Sequence, residues 1–277
     1  MPASALINSQ SAQVWRAYHD AYPAALDARI REISGRRHRD YRGLTLRDDD
    51  EWIWNTLPGI VKQRSPPHLN KDELSRVIKW KMTRGEWRIG LQSKAESNKE
   101  DVVKNATSRA YGLLANNANP SLDDIIQAVK LLSDNAKPEF RLDGVGPVTA
   151  TAILATISND VPYLSDELIR EMSCSTAKYD IATVTRIIEK VYNLVSSLSQ
   201  RGIRFNARMV EKALFSSDVA KRVATFNVDV PDADDGDIPE AENTNRGAEE
   251  SDEDHDRKKK RGREKHDSSL RTKKAKK

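Results

Sequence analysis

Apolar residues recur at helical spacing along most of the chain, and no stretch alternates with the period of two expected of a half-buried strand. The pattern predicts a helix over 11–33, bent at Pro23, and a short one opened by Asp48–Asp50, carrying Trp52 and Trp54 and closed at Pro58-Gly59. Asn70 caps a helix reaching about Thr83, and Ser97 starts another through Val103, Ala106 and Leu114. Ser121 caps Leu122–Ser133, whose first turn holds Asp123 and Asp124, where negative charge suits the helix dipole. Three further helices are predicted over 165–172, 180–198 and 206–223. Past Asn227 the periodicity stops. That segment is rich in Asp, Glu, Gly, Pro and Asn, so it buries too little apolar surface to offset the entropy of ordering. The reading is an all-α domain over 1–226 followed by a disordered tail over 227–277.

Charge sharpens this division. Residues 1–226 carry a net +6, whereas the tail is acidic first (Asp252-Glu253-Asp254) and then basic. A basic body favours anionic partners. The tail's basic runs, Arg257-Lys258-Lys259-Lys260-Arg261 and Lys273-Lys274, have the composition read by nuclear-import receptors, so the nucleus is the expected location and such a receptor an expected partner. The single cysteine, Cys174, excludes an internal disulfide and a cysteine-based zinc or iron–sulfur site. The five histidines have no metal-ligand spacing, no apolar run has the length of a membrane span, and the first ten residues lack the order of a signal peptide. No metal, cofactor or membrane is expected.

The most informative segment is Leu142-Asp143-Gly144-Val145-Gly146-Pro147-Val148-Thr149-Ala150. Two glycines flank one small apolar residue, and a proline follows at a position suited to the first turn of a helix. Glycines admit positive φ and close backbone approach, while a helix start presents unpaired N–H groups to an anion. Gly144, Val145, Gly146, Val148 and Thr149 would thus cradle one backbone phosphate of double-stranded DNA without reading bases. Pro138 and Phe140 require the preceding helix to stop short of the turn. The same residues also make an ordinary glycine turn between core helices.

This run resembles the hairpin of the helix-hairpin-helix motif, Leu-Pro-Gly-Val-Gly followed by Thr-Ala, with Asp143 in place of the proline. Over roughly 122–172 the chain is similar to the DNA glycosylase superfamily that uses this hairpin. The resemblance implies that fold type, and implies that Asp166, eighteen residues after Val148, stands where the family keeps a catalytic carboxylate, with Arg170 near the family's basic residue. Val148 stands at the lysine position of the bifunctional members and has no amine for a Schiff base. Asp166 is equally an ordinary helix-start residue after Ser165. No wedge residue for a base stack is evident.

Basic and aromatic residues also interleave over 80–88. Lys81, Arg84 and Arg88 are candidate DNA contacts, and Trp80, Arg84 and Trp87 share a face if the helix runs through Gly85; alternatively the tryptophans anchor the core and the Lys and Arg form a solvated rim. The Arg36–Arg42 loop is a further basic patch. The leading expectation is sequence-tolerant DNA binding in the nucleus, in a repair setting. A monofunctional glycosylase using Asp166 and a protein-interaction module with a structural hairpin are the alternatives.

Overall fold

A computed structural model describes residues 5–34, 45–115, 120–133, 137, 139–172 and 179–230. All regular structure among them is helical: α1 (Ala5–Asn8), α2 (Ala12–Asp20), α3 (Tyr22–Ser34), α4 (Leu46–Glu51), a π-helical turn (Trp52–Thr56), α5 (Leu57–Lys62), α6 (Lys71–Arg84), α7 (Leu91–Ser97), α8 (Glu100–Ala115), α9 (Leu122–Ser133), α10 (Pro147–Ala155), α11 (Asp166–Glu171), α12 (Ile181–Gln200) and α13 (Ala207–Arg222). Residues 1–233 form one compact unit and 234–277 a second, which lies wholly outside the described residues. The tail residues Arg257–Arg261, Lys273 and Lys274, Cys174 and the Arg36–Arg42 loop fall outside them too.

Local signals set most helix starts. Asn70 and Glu73 form a reciprocal capping box on α6. Ser121 accepts from the Asp124 N–H, Ser165 from Leu168, Asp180 from Thr183 and Asn206 from Met209. Three expectations need correction. The 11–33 helix is two helices, α2 and α3, meeting at Ala21, with Pro23 in the first turn of α3. Pro58-Gly59 ends nothing: the wider π turn at Trp52–Thr56, where the Leu57 N–H reaches back to Trp52 O, lets Pro58 enter α5 in its first turn, where no N–H is missed. Ser97 ends α7 rather than starting α8, and α7 itself was not foreseen, because seven residues give too short a periodicity.

α6 is the central element. It packs against α3, α4, α7, α8 and α10, while α13 covers α2, α3 and α11, and α9 pairs with α8 and α10. Around α6, buried polar groups are closely matched. Asp50 Oδ1 accepts from Tyr22 Oη (2.7 Å), Trp80 Nε1 (2.9 Å) and Trp54 Nε1 (3.2 Å). Arg84, fully buried, forms a two-pronged ion pair with Glu211 (2.8 and 3.1 Å). Its guanidinium lies 4.0 Å from the Phe215 ring centre, with Tyr22, Trp80 and Tyr163 around it. Arg84 and Trp80 therefore belong to the core. The expectation that Arg84 contacts DNA is wrong, because α6 ends at Gly85 and points that guanidinium inward at a carboxylate 127 residues away.

Candidate functional site

The glycine turn joins α9 to α10 across an intervening segment, since α9 stops at Ser133, before Pro138 and Phe140. Its geometry rests on α7. Gly144 has φ +81°, and a Cβ there would meet Ala95 N at 3.2 Å and Leu91 O and Lys94 Cβ at 3.3 Å, so the position needs glycine for both conformation and space. Gly146 differs: its φ is −89° and its Cβ position is open. Asn98, just past α7, fixes the turn from below. Its Nδ2 donates to Asp143 O (2.9 Å), and the Asp143 N–H donates to its Oδ1 (2.8 Å). α7 is in turn tied to α6 by Gln92 Nε2, which donates to Ser75 Oγ (2.6 Å).

The turn opens onto a cavity of about 810 Å³. Gly144, Val145, Gly146, Val148 and Thr149 line it together with the basic residues Lys81, Arg88, Lys94 and Arg141 and the acidic Asp143. Of the sequence-derived candidates, these five hairpin residues together with Lys81 and Arg88 are thus gathered in one place. Lys94, Arg141 and Asn98 were missed. Arg141 adjoins the hairpin and could have been read with it; Lys94 and Asn98 depend on α7. Helix geometry leaves the Val148 and Thr149 N–H groups in the first turn of α10 without intrahelical acceptors, and both residues line this space.

Lys81 is the unusual member. Only 6% of it is exposed, and no hydrogen bond or ion pair joins its side chain to another described residue. Burial pushes its pKa down from the usual lysine value, and Arg88 pushes the same way, while Asp166, Glu167 and Glu86 partly oppose it. Arg88 stacks over Tyr179, its guanidinium 5.2 Å from the ring centre.

Asp166 is placed otherwise. It is the first residue of α11 and does not line the cavity. Its Oδ2 accepts the Glu86 N–H (3.0 Å) and sits 2.5 Å from where a Cβ on Gly85 would be, which is why that position holds glycine. Arg29 grips the same turn from the other side, donating Nε to Arg84 O (2.9 Å) and Nη2 to Gly85 O. Arg170 is engaged with Asp218 (two contacts at 2.9 Å) and Glu167.

Among the described residues no cluster of His, Cys, Asp or Glu could hold a metal ion, and no helix is long and apolar enough to cross a membrane. No protein-family model matches the chain, and no curated protein or solved structure does either.

Proposed function

We propose that this chain binds double-stranded DNA through the phosphate backbone, with little regard for sequence, at the cavity beside the Leu142–Thr149 turn. One observation carries the reading: unpaired N–H groups at the start of α10 and four basic side chains, Lys81, Arg88, Lys94 and Arg141, converge on one open cavity. The amides and the dipole hold one phosphate. Lys81 supplies a buried charge that no carboxylate among the described residues neutralises directly, so a phosphate at the turn relieves an existing desolvation cost. Arg88, Lys94 and Arg141 meet neighbouring phosphates. Backbone contacts fix position without reading bases, which makes the binding sequence-tolerant.

The tail's basic runs support import into the nucleus, where such a substrate is found, and a repair setting rests on the resemblance of the hairpin to that of DNA glycosylases. No observation favours the glycosylase alternative: the Asp166 carboxylate is engaged with the Glu86 N–H and stands outside the cavity. The test is the triple substitution Arg88→Ala, Lys94→Ala, Arg141→Ala. All three are surface residues of the cavity rim, so the variant should melt like the parent yet bind duplexes much more weakly, by a similar factor on unrelated sequences. A variant binding as tightly as the parent would leave an interaction module with a structural turn as the better reading.

A further inference from the structure

The cations of the cavity are of two kinds. Arg88, Lys94 and Arg141 are exposed, as is the acidic Asp143, whereas Lys81 is only 6% exposed. No described residue pairs with the Lys81 amine, yet the amine is not sealed off, so the surface it keeps belongs to the cavity. Thr149 is in the same condition. It is 5% exposed and lines the cavity, and its hydroxyl is neither sealed nor bonded to a described residue. With the free N–H groups of Val148 and Thr149, this places four donors on three buried residues, beside three exposed cations.

From this arrangement we infer that the site prefers a phosphate monoester at a strand terminus, as at a nick or a broken end, over the phosphodiester of an unbroken strand. An internal phosphate is tied through two ester bonds and offers two free oxygens on the outer ridge of the duplex, where exposed cations meet it. A terminal phosphate is tied through one ester bond, projects from the end of its strand and offers three oxygens. It also carries a second negative charge at neutral pH, its second pKa lying at about 6. Three oxygens answer the amides, the Thr149 hydroxyl and the Lys81 amine together, and the added charge offsets more of the cost of burying a cation. Arg88, Lys94 and Arg141 hold the neighbouring internal phosphates, so an unbroken duplex still binds, less tightly. The charged groups that act on Lys81 are Asp166, Arg88, Glu167 and Glu86, and none of them pairs with it directly.

The inference rests on the DNA-binding reading. The test uses the full chain and duplexes closed by a loop at each end, so that a single nick supplies the only strand termini. One nick carries a 5′-phosphate, one a 3′-phosphate and one hydroxyls on both sides, and a fourth duplex is unbroken. The parent is expected to bind all four, and to bind at least one phosphate-bearing nick roughly tenfold more tightly than the hydroxyl nick, the worth of a further hydrogen bond to a charged group. Which phosphate is favoured names the end. Lys81→Met is expected to fold, since it removes an unpartnered amine from a buried position, to bind every duplex more weakly, and to lose the preference. The parent's preference is also expected to shrink at about pH 5, where the monoester loses its second charge while Lys81 is more fully protonated than at neutral pH. Equal binding of phosphate and hydroxyl nicks by the parent overturns the inference, as does a preference that survives in Lys81→Met or stays unchanged at the lower pH; the DNA-binding reading survives each of these. If the parent binds no duplex, that reading fails and this inference with it.

Discussion

Replacing Glu211 with glutamine tests whether Arg84 is a core residue. The substitution keeps the shape and one acceptor but leaves a fully buried guanidinium without its counter-charge. Burial disfavours the Arg84 charge, and the Glu211 carboxylate is the largest opposing influence, so Glu211→Gln leaves an arginine that is still ionised and whose desolvation is no longer offset by that carboxylate. Breaking one side of a buried pair costs about 3–5 kcal/mol. For a domain of this size, where 1 kcal/mol is worth about 2–4 °C, the melting temperature should fall by roughly 6–20 °C. The double variant Arg84→Met, Glu211→Met should recover most of that loss, since two apolar side chains suit the pocket of Tyr22, Trp80, Tyr163 and Phe215. Calorimetry measures both, and a binding titration on the folded double variant should give the parent's DNA affinity. The reasoning fails if Glu211→Gln melts like the parent, or if the double variant folds well but binds DNA more weakly with a shallower salt dependence.

Three further outcomes follow from the site. Gly144→Ala should cost about 1–3 kcal/mol, because the left-handed backbone and the contact with α7 both oppose a Cβ, whereas Gly146→Leu should cost no more than about 1–2 kcal/mol at a cap position and yet weaken DNA binding equally on all sequences; thermal melts and titrations separate the two. Lys81 has a lowered pKa, so between that value and the ordinary 10.5 the free protein carries a neutral amine there while the unfolded chain carries a cation. Stability from this group therefore rises with pH across the window, DNA affinity falls across it, and Lys81→Arg should remove the fall in affinity. Asp166→Asn keeps an acceptor for the Glu86 N–H, so it should cost about 0.3–1 kcal/mol and leave DNA affinity equal to or slightly above the parent's, which equilibrium unfolding and a titration would show.

Much of the helical framework was legible because its signals are local. The Asn70–Glu73 box, Ser121 with Asp124, Ser165 and Asn206 each combine a cap and an apolar period within a few residues. The glycine turn was legible for the same reason. The errors arise where a distant partner decides. Nothing near Arg84 says that Glu211 waits for it, and nothing near Asp166 says that its carboxylate will meet the Glu86 amide 80 residues earlier. Lys81 and Arg84 lie three residues apart on α6, yet one opens to the cavity and the other is sealed in the core, a distinction set by α13 on one side and the hairpin on the other. The basic wall of the cavity depends on α7, so Lys94 and the Asn98 brace could not be assigned before that helix was seen.

The central claim is a phosphate-reading, sequence-tolerant surface, and it is tested most directly by the salt dependence of duplex binding. Affinities of the full chain would be measured for several unrelated sequences over a range of salt concentrations. With Lys81, Arg88, Lys94 and Arg141 each neutralising one phosphate, the logarithm of the affinity should fall with the logarithm of salt at a slope of roughly −3.6. The slope and the affinity should be nearly the same for every sequence. A slope near zero, or binding confined to one sequence, would contradict the claim.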